Sequence, residues 1–461
     1  MQKGRFDPKL GSSMGKTDMP KAYEPGEYEK DLYASWEASG FFNPDNLPGE
    51  RVETFSLMMP PPNVTGILHL GHALENTLMD TMIRFQRMRG KRALLVPGTD
   101  HAAIATQAKV EKMLMAEGIE HPREELGREK LVDRIRTFAN GSMATILGQI
   151  RTLGTSCDWS RLAYTFDEDR SKAVNELFVR MYNDGLIYRG YRVVNWSVKG
   201  QSTQSDDEIE HAERSSVLYT FKYSKDFPIT IATTRPETKL GDTAVAVHPE
   251  DERYKALIGQ TFTVDVGAKE PLKITVIADE EVDPTFGTGA LGVTPAHSSI
   301  DFLMYEKQKA AGTPIEIIPV IGTDGKMTEA AGSYAGQTVE EARENFVAWL
   351  RKEGLLEKEE EIVQNVGVSD RYGDVIEALP LTQWWLDVTK EIPGRGKTLR
   401  DLMREAVTTG LGGDVNNKTT ITPTRFTKLY LDRVDSLRDW CLSRQLWWGH
   451  QIPVWYRGDE V

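Results

Sequence analysis

The stretch MMPPPNVTGILHLGHALENTL, Met58 to Leu78, decides the fold, because a strand-like run stops at three prolines and a helical pattern follows at once. Upstream, ETFSLMMP (53–60) reads as a buried strand, and Pro60 to Pro62 break it because proline cannot donate to a ladder. Downstream, Leu74, Leu78, Met82 and Phe85 recur at helical spacing until Gly90 closes the pattern. RALLVPGTD (92–100) is a second short apolar strand, and HAAIATQAKVEKMLMAEG (101–118) starts the next helix. Strand, helix, strand, helix at this spacing predicts an α/β fold with a parallel sheet and crossover helices.

Working outward, EYEKDLYASWEASGFF (27–42) is an amphipathic helix, and helical patterns continue through EDRSKAVNELFVRMYNDGLIYRG (168–190). After about His211 the grain changes. SSVLYTFKYS, PITIATT, DTAVAVHP, KITVIAD, ALGVTPAH and IEIIPVI are short strands divided by Gly, Pro and Asp turns, a β-rich insertion with the spacing of a barrel. The helical run TVEEARENFVAWLRKEG closes it near Gly354. The expected layout is a disordered tail over 1–20, a first α/β portion with its stalk over 21–210, an insertion over 211–354, and a resumed α/β portion over 355–461.

Composition narrows the class. The 461 residues are 39% hydrophobic and 27% charged, as in an ordinary globular protein of more than one domain, and no apolar run is long enough to span a bilayer. Two cysteines, Cys157 and Cys441, allow neither a disulfide framework nor a four-thiolate zinc site, which fits a reducing cytoplasm. A net charge of −13 argues against indiscriminate nucleic-acid binding. RFQRMRGKR (84–92) is a local basic run, best read as a solvated helix end suited to the C-terminal dipole.

His69 and His72 sit where a strand turns into a helix, on one face of its first turn. Three readings compete: a metal pair, a purely structural helix start, and a grip on phosphate. Free backbone N–H groups of a first turn favour an anion, and two imidazoles can donate to phosphoryl oxygens as charge shifts in an in-line displacement. Gly71 between them leaves room for a ligand against the backbone. Zinc would need a third ligand, and the spacing is not the His-Glu-x-x-His of helical zinc pairs. Phosphate is favoured.

PPPNVTGILHLGHAL resembles the His-x-Gly-His signature of the class I aminoacyl-tRNA synthetases. With VPGTDHAAIATQ and DWCLSRQLWWGHQIPVWY the likeness is to the valine-specific members more than to those for isoleucine or leucine, and it runs in family order from about Lys21 to Val461. The resemblance implies a doubly wound, Rossmann-like catalytic sheet that makes a valyl-adenylate from ATP, with Mg2+, and passes valine to tRNA(Val). It implies that His69, Gly71 and His72 hold the ATP phosphates, with the two histidines catalytic. Asn63 would lie in the same site, Asp100 would hold the α-ammonium of valine, and Trp440 would line the side-chain pocket. Asp100 reads equally as a helix N-cap, and Trp440 as a core residue, without that likeness. No individual role is assigned to Trp447, Trp448 or His450.

TTRPETKLGDTAVAVHPEDERY and GTGALGVTPAHSSIDF resemble the two signature stretches of the family's editing insertion. Thr233, Thr234, Arg235 and Glu237 would then shape the pocket for the terminal adenosine, Thr294 would lie near the substrate, and Asp301 would grip the α-ammonium of a misattached threonine. No nucleophilic triad is evident, so a positioned water would do the hydrolysis. Three positions depart from the family pattern: Gly292 replaces a lysine, Ser298 replaces an aspartate, and Ser197 replaces a cysteine of a zinc knuckle. The first two remove a cation and a carboxylate from one pocket; the third predicts no zinc, since that site needs thiolates.

The resemblance also implies a Lys-Met-Ser-Lys-Ser loop, an anticodon-binding domain and a coiled coil beyond Val461. The expectation is therefore a fragment of a protein that is monomeric when whole, favoured over one half of an enzyme split into two docking chains, with little ATP–pyrophosphate exchange of its own. The competing functions are a stand-alone hydrolase of mischarged tRNA and a tRNA-binding protein without catalysis.

Overall fold

The computed structural model describes residues 22–458, so the tail expected over 1–20 lies outside the described residues. The chain runs through α1 (Pro25–Ala38), β1 (Thr54–Met58), α2 (Leu70–Met88), β2 (Arg92–Val96), β3 (Gly98–Thr99), α3 (Ala103–Ala116), α4 (Pro122–Thr152) and β4 (Ala163–Tyr164). It forms two compact units, one of residues up to Ala102 with Glu129–Asp167, the other of Ala103–Arg128 with everything from Glu168 onward. The boundary falls beside Gly127, whose φ of +69° interrupts α4, a conformation glycine adopts without a Cβ penalty.

In the first unit, β1 pairs parallel with β2 in register from Thr54–Arg92 to Met58–Val96, and β3 pairs parallel with β4. Met59, Ile83, Ala93, Leu95, Ile146, Ile150 and Cys157 form its core. Burial pushes the Cys157 thiol up to about 12, so it is an inert core residue. The expectation that ETFSLMMP is a buried strand is corrected: Thr54, Ser56 and Met58 are exposed, and only Met59 after them is buried. Among the described residues β1 has a strand on one side only. The helical stripe is also turned round. Asn76 and Ile83 are the buried residues of α2, while Leu70, Leu74, Leu78, Met82, Phe85 and Met88 are exposed.

The second unit continues with α5 (Glu168–Asn183), β5 (Ile187–Ser197), β6 (Ser202–Gln204), β7 (Ile209–Phe221), β8 (Ile231–Thr233), β9 (Ala244–Val247), β10 (Thr261–Val264), β11 (Leu272–Ala278), β12 (Ala290–Val293), α6 (Ser299–Ala310), α7 (Val339–Glu353), β13 (Leu356–Ser369), β14 (Ile376–Leu386), α8 (Leu399–Thr408), α9 (Arg425–Asp435) and β15 (Trp440–Cys441). The helical pattern expected to reach Gly190 stops at Asn183, because Gly185 (φ +70°) turns the chain and Ile187 onward is strand. Two long antiparallel ribbons follow: β5 with β14, and β7 with β13. β10, β11, β9 and β12 make a four-stranded sheet in which only the β9–β11 pair is parallel.

Phe221, Tyr223, Phe227, Ile231, Val245, Val276 and Phe346 centre a large closed core. α7 supplies Phe346; it closes at Gly354 (φ +69°) as the sequence pattern predicts, and a Thr338–Glu341 capping box starts it. One expected strand is absent. IEIIPVI (315–321) forms no strand beyond an isolated Ile321–Met327 bridge, since Pro319 has no N–H to give and the amides of Val320 and Ile321 donate to His297 Nε2 at 2.8 and 3.2 Å.

Candidate functional site

The first unit places its histidines as a mutual helix cap. His69 is the N-cap of α2 and its Nδ1 accepts from the Gly71 N–H at 3.1 Å, while the His69 N–H donates to His72 Nδ1 at 3.2 Å. The rings lie 3.9 Å apart, centroid to centroid. Both Nδ1 atoms accept, so each neutral ring carries its proton on Nε2. Gly71 makes this possible for a reason the sequence did not show: a Cβ there would meet the His69 ring at 2.8 Å. Its bareness admits the imidazole rather than leaving space for a ligand.

Asn63 and Asp100 are brought side by side beyond the strand ends. The Val64 N–H donates to the Asp100 carbonyl at 2.9 Å and the Asp100 N–H to the Pro62 carbonyl at 2.9 Å, a parallel bridge that prolongs the β1–β2 pairing. The Asp100 carboxylate accepts from the Ala102 N–H at 3.0 Å and from Thr165 Oγ1 at 2.8 Å, with His101 Nδ1 at 3.4 Å. The His101 contact, with those two bonds, outweighs half-burial and holds this carboxyl at about 2. Asp100 is thus both a local cap and a fixed anion.

Trp440 belongs to the other unit, in β15 against Leu386 of β14, and it is 54% exposed rather than a core residue. Trp448 is buried, and the N–H groups of Trp447 and Trp448 both donate to Gln107 Oε1, at 3.0 and 3.1 Å. His450 is half-buried.

In the second unit, Thr233 Oγ1 accepts from the Arg235 N–H at 3.0 Å, and Thr234 is half-buried beside it. Glu237 is fully buried between Arg235 (2.9 Å) and Arg343 (2.8 Å), and Arg235 also reaches Glu377 at 2.8 Å. Burial works to raise the Glu237 carboxyl; the bonds from Arg343 and the charge of Arg235 prevail and hold it below the usual range. Arg235 further lines a cavity of about 380 Å³ with Asn195, Asp206, His211 and Ala378.

Thr294 and Asp301 meet through the backbone: the Thr294 N–H donates to Asp301 Oδ2 at 2.7 Å. Ser298, the N-cap of α6, donates to Asp301 Oδ1 at 2.9 Å. Asp301 is buried and has no ion pair among the described residues; burial raises its carboxyl. The sequence reading missed the neighbours of this pair. Lys239 Nζ, itself buried, donates to the Gly292 carbonyl at 2.7 Å, Thr294 Oγ1 at 2.8 Å and Asp242 Oδ1 at 3.2 Å. Asp242 also accepts from Tyr223 and Thr294. A cation therefore lies against position 292, supplied by Lys239. KLGD, with Lys239 three residues before Asp242, was the available signal, and it reads as an ordinary surface turn.

His297 was also unread. Its Nε2 accepts two backbone amides while Nδ1 lies 3.0 Å from the Ala378 carbonyl, and burial drives it down to about 3, so it is a neutral structural ring. Ser197 is fully buried: its hydroxyl donates to the Asp374 carboxylate (2.9 Å) and accepts from the Gly200 N–H (2.9 Å), knotting the turn where the resemblance implies a metal knuckle. Among the described residues no three His, Cys, Asp or Glu side chains group as a metal site.

A family model described as tRNA synthetases class I (I, L, M and V) matches residues 31–461. The chain is 47% identical over 441 residues to a valine–tRNA ligase of Carboxydothermus hydrogenoformans, covering 95% of this chain and 47% of that one. It is 43% identical over 445 residues to the valine–tRNA ligase of Clostridium acetobutylicum, covering 96% and 47%. The chain spans about half the length of these curated relatives. A crystal structure of a LeuRS–tRNA–LeuAMS complex from Agrobacterium radiobacter K84 matches at 18% identity with a TM-score of 0.34, over 77% of this chain and 49% of that one.

Proposed function

The chain belongs to the class I tRNA synthetases of the isoleucine, leucine, methionine and valine group, and from that premise we propose that it carries the adenylate-forming and editing portions of a valine–tRNA ligase. Its catalytic portion is read as the Rossmann-like, doubly wound half-sheet and its insertion as a barrel-like editing domain. In the first step the valine carboxylate attacks the α-phosphorus of ATP, the α–β phosphoanhydride bond breaks, and pyrophosphate leaves with its electron pair. The hydroxyl of the tRNA's terminal adenosine then displaces AMP. ATP enters with Mg2+ as a substrate, and no ligand for that ion is assigned. tRNA(Val) and valine are the other partners, the whole protein is read as a cytoplasmic monomer, and no helix among the described residues is long and apolar enough to cross a membrane.

The reciprocal imidazole cap carries this reading. It fixes both Nδ1 atoms as acceptors and leaves two Nε2–H donors at a helix N-terminus, an arrangement suited to phosphoryl oxygens that gain charge in the transition state. Asp100, held ionised, suits an ammonium as a charge-assisted partner, with Asn63 beside it and Trp440 assigned to the valine pocket. In the full-length enzyme His72→Ala should abolish valine-dependent ATP–pyrophosphate exchange while tRNA affinity persists. Undiminished exchange would overturn the assignment and favour a tRNA-binding protein.

Editing follows from the chemistry of the substrate. Threonine matches valine in shape, and valine-specific enzymes are known to discriminate between them only about 10²-fold by the pocket alone, using a second, hydrolytic site as the remedy. We assign that site to Thr233, Thr234, Arg235, Glu237, Thr294 and Asp301, where water attacks the ester carbonyl and the ribose oxygen leaves with a proton. The present chain should release threonine from threonyl-tRNA well above the spontaneous rate. Release no faster than in buffer would remove editing from the proposal.

A further inference from the structure

Lysine is almost never buried without a partner, and Lys239 is 5% exposed with all three ammonium hydrogens committed, to Asp242, to the Gly292 carbonyl and to the Thr294 hydroxyl. The space is built round it. A Cβ on Gly292 would stand 2.5 Å from Asp242 Oδ2 and 2.7 Å from the Tyr223 hydroxyl, so any side chain at 292 would push away the carboxylate that Lys239 neutralises. Asp301 lies on the far side of Thr294, bonded to its N–H and to Ser298 but to no cation. Two buried carboxylates thus flank one ammonium, which of the two bonds only Asp242.

We infer that Lys239 is the resident cation and positioning residue of this pocket. It neutralises Asp242 and orients Thr294, which leaves Asp301 as the pocket carboxylate with no ion pair among the described residues. The pocket is then one positive charge short, and the ligand class that completes it is an acyl group carrying a free α-ammonium. The cost of removing Lys239 is specific. Asp242 and Asp301 would face each other as buried like charges, and one of them would take up a proton.

The hydrolytic consequence rests on the editing assignment, whereas the charge arrangement does not, so two measurements separate them. The first is a carboxyl-carbon NMR titration of Asp242 and Asp301 in the full chain. Tyr223 and Lys239 are the other titratable groups that face this pair. Lys239→Met, similar in length and uncharged, should raise the Asp301 midpoint by about one pH unit or more. Lys239→Met with Asp242→Asn should return it toward the wild-type value. A Lys239→Met midpoint within about 0.3 unit of wild type would overturn the proposal. Should the single variant fail to fold, the double variant decides alone: a near-wild-type midpoint supports Lys239 as the counter-ion of Asp242, and a midpoint displaced upward by a unit refutes it.

The second measurement is threonyl-tRNA hydrolysis against pH. Where wild type is active, Lys239→Met should lose on the order of 10²-fold in kcat/KM near neutrality and recover part of it at higher pH. An equal loss at every pH would overturn the positioning role. Inactivity of the wild type would sink the editing assignment and leave the titration to judge Lys239.

Discussion

Two helices, one in each unit, have the same kind of apolar repeat and opposite fates. α7 turns Phe346 into the core of the second unit, fully buried against Phe221, Tyr334 and Trp349. α2 presents Phe85 at 56% exposure, in line with Leu74, Leu78 and Met82, with the guanidinium of Arg89 over its ring. The difference extends to the sites. The second unit buries its polar residues against one another, Glu237 between two arginines and Asp242 against Lys239, so their chemistry and its stability are tied together. The first unit sets its histidines on the surface and fixes them by backbone caps.

The largest test of that contrast is a pair of matched truncations. Phe346→Ala should cost about 3–5 kcal/mol in denaturant unfolding of the chain, through lost transfer energy and a cavity. Phe85→Ala should stay within about 0.5 kcal/mol. A multi-kcal/mol loss at Phe85 would mean that the stripe on α2 is covered in solution, and the comparison would break.

Acid should separate the two regions next. Burial holds His297 at about 3 against its ordinary 6.5, so unfolding takes up a proton at any pH between those values. Its contribution is whole above 6.5 and drains as pH falls toward 3. Asp242 and Asp301, whose carboxyls burial raises, work in the opposite direction: protonation favours their folded form. In the first unit Asp100, at about 2 against an ordinary 3.8, loses its share only when the pH falls through that lower window. Hydrogen exchange should therefore show the amides of Val320 and Ile321, which bond to His297, losing protection by pH 5 while those of Val64 and Asp100 hold. Simultaneous loss at all four would show that His297 does not set the acid limit of the insertion.

How much of this was legible in the sequence depended on whether a feature is local. The start of α2, the glycine end of α7, the strands β8, β9, β11 and β12 and the stretch TTRPET are written in adjacent residues, and the structure has those helices and strands where their patterns put them. Features set by distant partners were not. β13 begins LEKEEEIVQN, a charge run that gives no strand signal, because it forms a ribbon with β7 whose early residues are largely exposed. The apolar stripe of α2 marks a helix correctly but says nothing about what covers it. Lys239 reads as a surface cation until folding sets it against Gly292 and Thr294, and IEIIPVI reads as a strand until His297 takes its amides.

The smallest effect is the most discriminating, because it separates the two duties of His69. As N-cap, His69 accepts one backbone N–H through Nδ1, and as phosphate donor it would use Nε2. Asparagine is among the best N-cap residues and alanine among the poorest, with a difference of about 1 kcal/mol. His69→Ala should therefore lower unfolding stability by roughly that amount, whereas His69→Asn should stay within a few tenths of a kcal/mol of wild type. Asn also ends too close to the backbone to offer a donor where Nε2 stood. Both variants of the full-length enzyme should lose adenylate formation to a similar degree, although only one loses stability. Activity that followed stability, surviving in His69→Asn, would reduce the histidine to a helix cap and move the chemistry of this surface onto His72 alone.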